Sequence, residues 1–306
     1  MLRFALGRLI QGIVALLVVL TVVFALARLS GDYATLIAPP DASAEAIKAI
    51  QVKLGLDRPI VVQYFAYLGD LFTGNLGDSL SFGSPVSELV GAALPDTLVL
   101  AGVAFVFAVV VGVPLGLLAG TKSGGWIDAA VRFLALIGQS VPSFWLGILL
   151  VFMFAVNIPI LPASGQSGFL SIILPAIALG AFPLASVTRL TRSAVLEVIG
   201  KDQTLFLRAK GVGRARLAWH TLRNASLPVV TLSGIQLGNL ISGTIVIETL
   251  FAWPGMGQLA IQAINNRDYT LIQGVVIVNT VVFIVLLFLI DISYGVLDPR
   301  IRRGRD

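Results

Sequence analysis

The stretch "LRAKGVGRARLAWHTLRNASLP" (207–228) carries Arg208, Lys210, Arg214, Arg216, His220 and Arg223 with no acidic residue among them. A segment of this kind attracts anions: nucleic-acid phosphates, lipid head groups or an acidic protein face. A nucleic-acid site lacks supporting architecture here. On a helix, Val212, Ala215, Trp219 and Leu222 fall on one apolar stripe with the basic residues mostly on other faces. That pattern suits a lipid surface. Gly211 and Gly213, however, mark a turn between short helices, which suits docking into a partner's groove. On these residues alone, lipid and protein partner are balanced.

Enzymatic chemistry finds no constellation. The chain has no cysteine, so disulfides, thiolate metal sites and cysteine nucleophiles are excluded, and one histidine leaves little for a histidine-based metal or proton site. The closest approach to a phosphate loop, "GLLAGTKSGG" (116–125), puts Thr121 between Gly120 and Lys122 and ends an apolar run instead of following a strand. Gly211-x-Gly213 and Gly255-x-Gly257 lack a third glycine.

Charges and breaks at membrane depth are more informative, because each is costly. Glu248 and Asp291 are the charged residues near the ends of apolar runs, and local capping or pairing is the ordinary role for both. "GQSVPSFW" (138–145) sets Pro142 among Gln139, Ser140 and Ser143. Broken backbone at that depth needs protein or a water-lined cavity around it, so the alternatives are a polar translocation path and a merely kinked helix. Asn239 and Glu248 are further polar candidates for such a path.

These residues must be positioned by membrane helices. The chain is 57% hydrophobic and 12% charged, about half the charge of a soluble domain, and its mean hydropathy is +0.95. Charge-free windows place spans at 9–27, 97–121, two within 133–188 divided by "NIPILPASGQSG" (157–168), then 224–247 and 270–290. The expected fold is an all-α, polytopic bundle of six transmembrane helices. Segments 1–8, 122–132, 189–223 and 291–306 hold 16 of the 21 Lys and Arg residues, which predicts that both termini are cytoplasmic. "MLR" followed by an apolar run and "ALA" imitates a signal peptide, but the run is too long, and an uncleaved first helix is expected. In the outer segment 31–96, residues 41–55 predict a helix capped by Asp41 or Ser43, and 58–74 a second amphipathic helix. Gly112, Gly116 and Gly120, and Gly234, Gly238 and Ser242, form small-residue ridges for internal packing or a subunit interface.

Across nearly its whole length the sequence resembles the membrane permeases of binding-protein-dependent ABC importers, specifically the first permease of the dipeptide, oligopeptide and nickel group. The resemblance rests on "MLRFALGRLIQ" at the start, "LGLDRPIVVQYFAYLGDLFTGNLGDSL" (54–80), "SVPSFWLGILL" (140–150), "LPASG" (161–165), "RLTRSAVLEVIGKD" (189–202), "RAKGVGRARLAWHTLRNASLPVV" (208–230), "ETLFAWPGMGQL" (248–259), "RDYTLIQG" (267–274) and "LDPRIR" (297–302).

The resemblance implies that the basic stretch is the EAA-type coupling loop docking on an ATPase, carried by Arg208, Ala209, Lys210, Gly211, Val212, Gly213, Arg214, Arg216, Arg223 and Pro228. Leu205-Phe206-Leu207 stands where the general pattern has Glu-Ala-Ala, and Gly211 to Pro228 is longer than usual. It further implies a peripheral helix (1–30), an extracytoplasmic segment (31–96), a five-helix core (97–296) with its coupling loop at 193–224, and a basic tail (297–306). The implied partners are a homologous second permease, two ATPases that bind ATP and Mg, an external solute-binding protein and lipid, with no nucleic acid. No cofactor or metal is expected in this chain, and no catalysis. The implied location is the bacterial inner membrane. The implied mechanism is alternating access driven by the ATPases, and the solute is most simply a peptide, with nickel, glutathione and sugars open. The rivals are an ion-coupled secondary transporter using Glu248, a membrane scaffold and a membrane enzyme.

Overall fold

The computed structural model describes residues 2–29, 43–53 and 55–297. Among them the regular structure is helical, with one isolated bridge between Asp78 and Pro85. In chain order the helices are α1 (Leu2–Leu29), α2 (Ala44–Lys53), α3 (Ile60–Phe72), α4 (Val86–Thr121), α5 (Trp126–Ser140), α6 (Ser143–Val151), α7 (Ile173–Ile199), α8 (Asp202–Ala209), α9 (Arg214–Leu250), α10 (Met256–Asn265) and α11 (Tyr269–Leu297). A π-helical turn (Phe152–Asn157) extends α6, and a 3-10 turn (Phe169–Ile172) leads into α7.

Among the described residues, four helices are long and apolar enough to cross a membrane: α1, α4, α7 with its lead-in, and α11. Two bent pairs raise the number to as many as six, if α5 with α6 is one span and the two halves of α9 are another. The sequence windows therefore find the apolar segments but not the helix ends. Charge stops a hydropathy window, whereas a helix continues as long as its backbone bonds are made. Thus α4 starts at Val86, passing Glu88 and Asp96. Its 36 residues make about 54 Å of helix, well beyond the ~30 Å hydrocarbon core. Likewise α9 begins at Arg214, ten residues before the expected span at 224.

The central packing is α4 against α7. In lipid, helices associate through close contact more than through apolar burial, so small residues decide where they touch. A Cβ added at Gly116 would stand 2.5 Å from the Thr188 carbonyl oxygen, one at Gly112 3.0 Å from that of Leu184, and one at Gly120 2.5 Å from Val195 Cγ1. The first glycine ridge is thus an internal seam. Leu100, Ala104, Leu174, Ala178, Ile247 and Phe251 fill the core around one part of this seam, and Val187, Val195, Ala225 and Val229 fill another.

α1 lies at the periphery and packs on α11, where a Cβ at Gly12 would come within 2.7 Å of Ile284 Cγ2. α2 starts where expected: the Ala46 N–H donates to Ser43 Oγ at 3.3 Å, while Asp41, the other cap candidate, lies outside the described residues. α3 runs against the far end of α1 through Phe24, whose ring centroid is 5.2 Å from that of Tyr64 and 5.5 Å from that of Tyr67. Arg28 Nε donates to Gln63 Oε1 at 2.7 Å in the same contact.

Candidate functional site

The basic stretch folds as a helix, a turn and a helix. α8 ends in a Schellman turn: the Val212 N–H donates to the Leu207 carbonyl at 3.2 Å, and Gly211 takes φ +74°. Only glycine adopts that left-handed conformation without cost, which is why a glycine stands there. Nothing lies within 4 Å of where its Cβ would be, so the turn is open on that side. The chain then re-enters helix at Arg214, with the Leu217 N–H donating to the Gly213 carbonyl at 3.0 Å.

The second helix is not short, as the glycine spacing predicts, but continues through Pro228 to Leu250. The expected apolar stripe is also corrected. Val212 lies in the turn, Ala215 is exposed and Trp219 is 64% exposed; the face turned inward carries Thr221, Ala225 and Val229. On the outward side Phe206 is 57% exposed with Lys210 Nζ 4.5 Å from its ring centroid. Ala209, Lys210, Gly211, Gly213, Arg216, Arg223 and Pro228 are also exposed. The side chains of Arg208 and Arg214 lie outside the described ones. The result is an exposed surface that carries two aromatics, Phe206 and Trp219, and the basic side chains of Lys210, Arg216 and Arg223, a chemistry suited to a protein groove or a lipid surface.

The break at Pro142 is deeper than a kink. α5 and the α6 segment meet at 105°, with Pro142 as the residue before α6 and the Val141 N–H closing α5 on the Ile137 carbonyl at 3.0 Å. Gln139 bridges to α7: its Nε2 donates to Ser186 Oγ at 3.0 Å, and its Oε1 accepts from Arg189 Nη1. Ser140 and Pro142 are exposed and Ser143 is half-buried. Asn239, exposed on α9, donates to Gln236 Oε1 at 3.4 Å and stands apart from this group.

Glu248 is completely enclosed. Its Oε1 accepts from Thr97 Oγ1 at 2.7 Å; its Oε2 accepts from the Gly257 N–H at 2.6 Å and the Gln258 N–H at 3.3 Å. Thr97 Oγ1 in turn accepts the Met256 N–H at 2.8 Å. The carboxylate thus satisfies the first N–H groups of α10, which a helix leaves unpaired, and ties them to α4 and α9. Gly255 and Gly257 form no phosphate loop; a Cβ at either would collide with this carboxylate. Asp291's side chain lies outside the described ones.

Two polar locks escaped the sequence. Asp128, 1% exposed, accepts from Arg192 Nε at 2.6 Å and Nη2 at 2.9 Å and from the Gly124 N–H at 3.1 Å. Arg132 lies 3.5 Å away. This pins the 122–125 turn and α5 to α7. Asp268 Oδ2 accepts from Ser79 Oγ at 2.6 Å, Ser81 N at 3.0 Å and Ser81 Oγ at 2.8 Å, while Oδ1 accepts from the Leu271 N–H at 3.0 Å. Burial alone would raise the Asp268 carboxyl, but these hydrogen bonds outweigh it and hold the group below the usual carboxylate range. The signal available in the sequence was weak: Asp128 is a lone acid in a basic segment, and Asp268 sits just before a helix as a cap would.

Residues 112–303 match the family described as "Binding-protein-dependent transport system inner membrane component", and residues 1–101 match "Binding-prot-dependent transport system membrane comp, N-term". The chain is 40% identical over 296 residues to a di/tripeptide transport system permease of Pseudomonas aeruginosa, covering 87% of each. It is 38% identical over 304 residues to a glutathione transport system permease of Salmonella choleraesuis, covering 99% of each. Identity to a dipeptide transport system permease of Alkalihalophilus pseudofirmus is 36% over 332 residues, covering 99% of this chain and 100% of that one. Among solved structures, the fold is similar to a chain of the MetNI methionine ABC transporter in an inward-facing conformation. The TM-score is 0.57 at 22% identity, over 69% of this chain and 96% of that chain.

Proposed function

The chain belongs to the family of binding-protein-dependent transport system inner membrane components, and from that premise we propose that it is one permease half of an ATP-driven importer of di- or oligopeptides. The reading is supported by likeness over essentially the whole length to peptide permeases. The observation that carries its mechanism is the exposure of Phe206 and Trp219 beside basic side chains in the 206–219 stretch.

In this reading the bundle crosses the bacterial inner membrane six times with both termini in the cytoplasm, as the distribution of Lys and Arg directs. A homologous permease completes the pathway, two ATPases bind the ATP and Mg, and a solute-binding protein delivers peptide to the 31–96 and 248–269 segments. The Ala209–Gly213 turn and the start of α9 dock on an ATPase. α9 leads from that dock to Leu250 with a 52° bend between Ile241 and Gly243, so movement of the dock passes along two helical segments joined at that bend to the opposite side of the membrane. There Glu248 couples α9 to α4 and α10, so the helices tilt together between inward- and outward-open states. Gln139, Ser140, Pro142 and Ser143, at the 105° break, supply polar groups along the peptide's route. Glu248 serves that route as a structural tie. The ion-coupled alternative finds no support in a carboxylate whose two oxygens already accept three hydrogen bonds.

The test is co-purification from gently solubilised native membranes, comparing the intact chain with Gly211→Trp. An ATPase that accompanies the intact chain and is lost from a variant that still inserts supports the reading. If no ATPase accompanies the intact chain, the reading is wrong.

A further inference from the structure

One cleft in the described molecule stands apart from the basic loop, the Pro142 break and the carboxylate ties. It has a volume of about 610 Å³ and lies between α1, α9 and α11, lined by Arg8, Ala15 and Val19 on one side and Val276, Phe283 and Phe288 on the other. We infer that this cleft is a binding site for one anionic phospholipid, with an acyl chain lying in the cleft and the phosphate at Arg8.

Length, polarity and surroundings all bear on this occupant. From Arg8 to Val19 the cleft follows about 16 Å of helix, and from Val276 to Phe288 about 18 Å, close to the ~15 Å thickness of one hydrocarbon leaflet. Polarity is arranged in the same sense as a lipid. Arg8 stands at the end marked by Phe288, with its Nη1 donating to Gln11 Oε1 at 3.5 Å, and the walls beyond are mostly aliphatic and aromatic. The neighbouring surface of α1 exposes Leu9, Ile13 and Val18, an apolar border that suits acyl chains better than water. Close approach of the two helices at Gly12, where a Cβ would meet Ile284 Cγ2 at 2.7 Å, leaves the cleft a fixed wall on which one chain could seat repeatedly. A guanidinium at the mouth selects for an anionic head group, since juxtamembrane Lys and Arg are attracted to anionic lipid.

The experiment uses the purified transporter in mild detergent, first as isolated and then delipidated and titrated with phosphatidylglycerol or phosphatidylcholine, with bound lipid read by native mass spectrometry. The expected result is one phospholipid retained per chain and preference for phosphatidylglycerol. Arg8→Gln should weaken that binding about fivefold. Ala15→Trp, which fills the cleft, should abolish retention, whereas Val18→Trp on the adjoining exposed face should leave it unchanged. Equal binding of the two lipids to the intact chain overturns the inference, as does wild-type retention by Ala15→Trp. A photocrosslinker at Ala15 that captures another subunit in place of lipid gives the cleft to protein and overturns it too. The readout is lipid, not transport, so it stands or falls separately from the importer reading.

Discussion

At the scale of single residues, the structure turns two carboxylates into joints. Glu248 accepts from a hydroxyl on α4 and from the opening N–H groups of α10. Glu248→Gln places an amide donor where an acceptor is needed, so buried donors face each other; the variant is expected to lose about 1–3 kcal/mol of stability. Thermal unfolding in detergent checks this, and Thr97→Ala should be non-additive with it because the two groups share one hydrogen bond. A variant as stable as the parent would remove the joint from the argument. Asp268 gives a pH dependence whose sign is fixed. Its folded pKa lies below the unfolded one, so its stabilisation is complete at neutral pH, above the unfolded value, and is lost as pH falls through the folded value. Docking of the 79–81 turn on α11 should therefore weaken in acid. Asp268→Asn should flatten that part of the acid unfolding profile while lowering stability at neutral pH.

At the scale of elements, the α4–α7 seam and the α5 anchor carry the predictions. Gly116→Leu drives a side chain into the Thr188 carbonyl, and overpacking of this kind costs about 1–3 kcal/mol or more. Gly102, on the same helix, has nothing within 4 Å of its Cβ position, so Gly102→Leu should stay within about 0.5 kcal/mol of the parent. The comparison of the two melting temperatures tests whether the seam is internal, as the contacts place it, or a face between subunits. α5 depends on Asp128. Removing one partner of this mostly buried pair, by Asp128→Asn or Arg192→Gln, should cost on the order of 3 kcal/mol. A double-mutant cycle should return a coupling energy well above the ~1 kcal/mol of an exposed pair. The same loss should loosen the 122–125 turn, read as faster amide exchange there.

Over the whole molecule, α9 joins the turn at Gly211 to the tie at Glu248 through two helical segments that meet at a 52° bend. Gly211→Trp acts in two ways, since the left-handed backbone there disfavours any side chain and the ring would project from the open side of the turn. Gly211→Ala isolates the first effect, at about 1 kcal/mol of local helix-cap stability. ATP-driven uptake is expected to survive largely in the alanine variant and to be lost in the tryptophan variant while both insert normally. Equal uptake by the tryptophan variant would separate this turn from the ATPase.

The amino-acid order alone was enough to read a helical membrane protein, where its apolar segments lie, and which family its motifs belong to. These follow from quantities local in the chain: hydropathy over about 20 residues, glycine at a left-handed turn, and runs of basic residues. Helix ends were less legible, because the hydropathy signal stops at Asp96 or Arg223 while the backbone of α4 or α9 does not. The folded arrangement was needed to show which face of 212–229 turns inward, that the Gly112–Gly116–Gly120 ridge meets α7, and that the helices on either side of Pro142 are bent by 105°. It alone also decided that Glu248, Asp128 and Asp268 are locks. Each of those depends on partners far away in the chain, Thr97 for Glu248, Arg192 for Asp128 and Ser79 for Asp268. No periodicity encodes such pairs; they form when packing brings the donors to one carboxylate and leaves it no water.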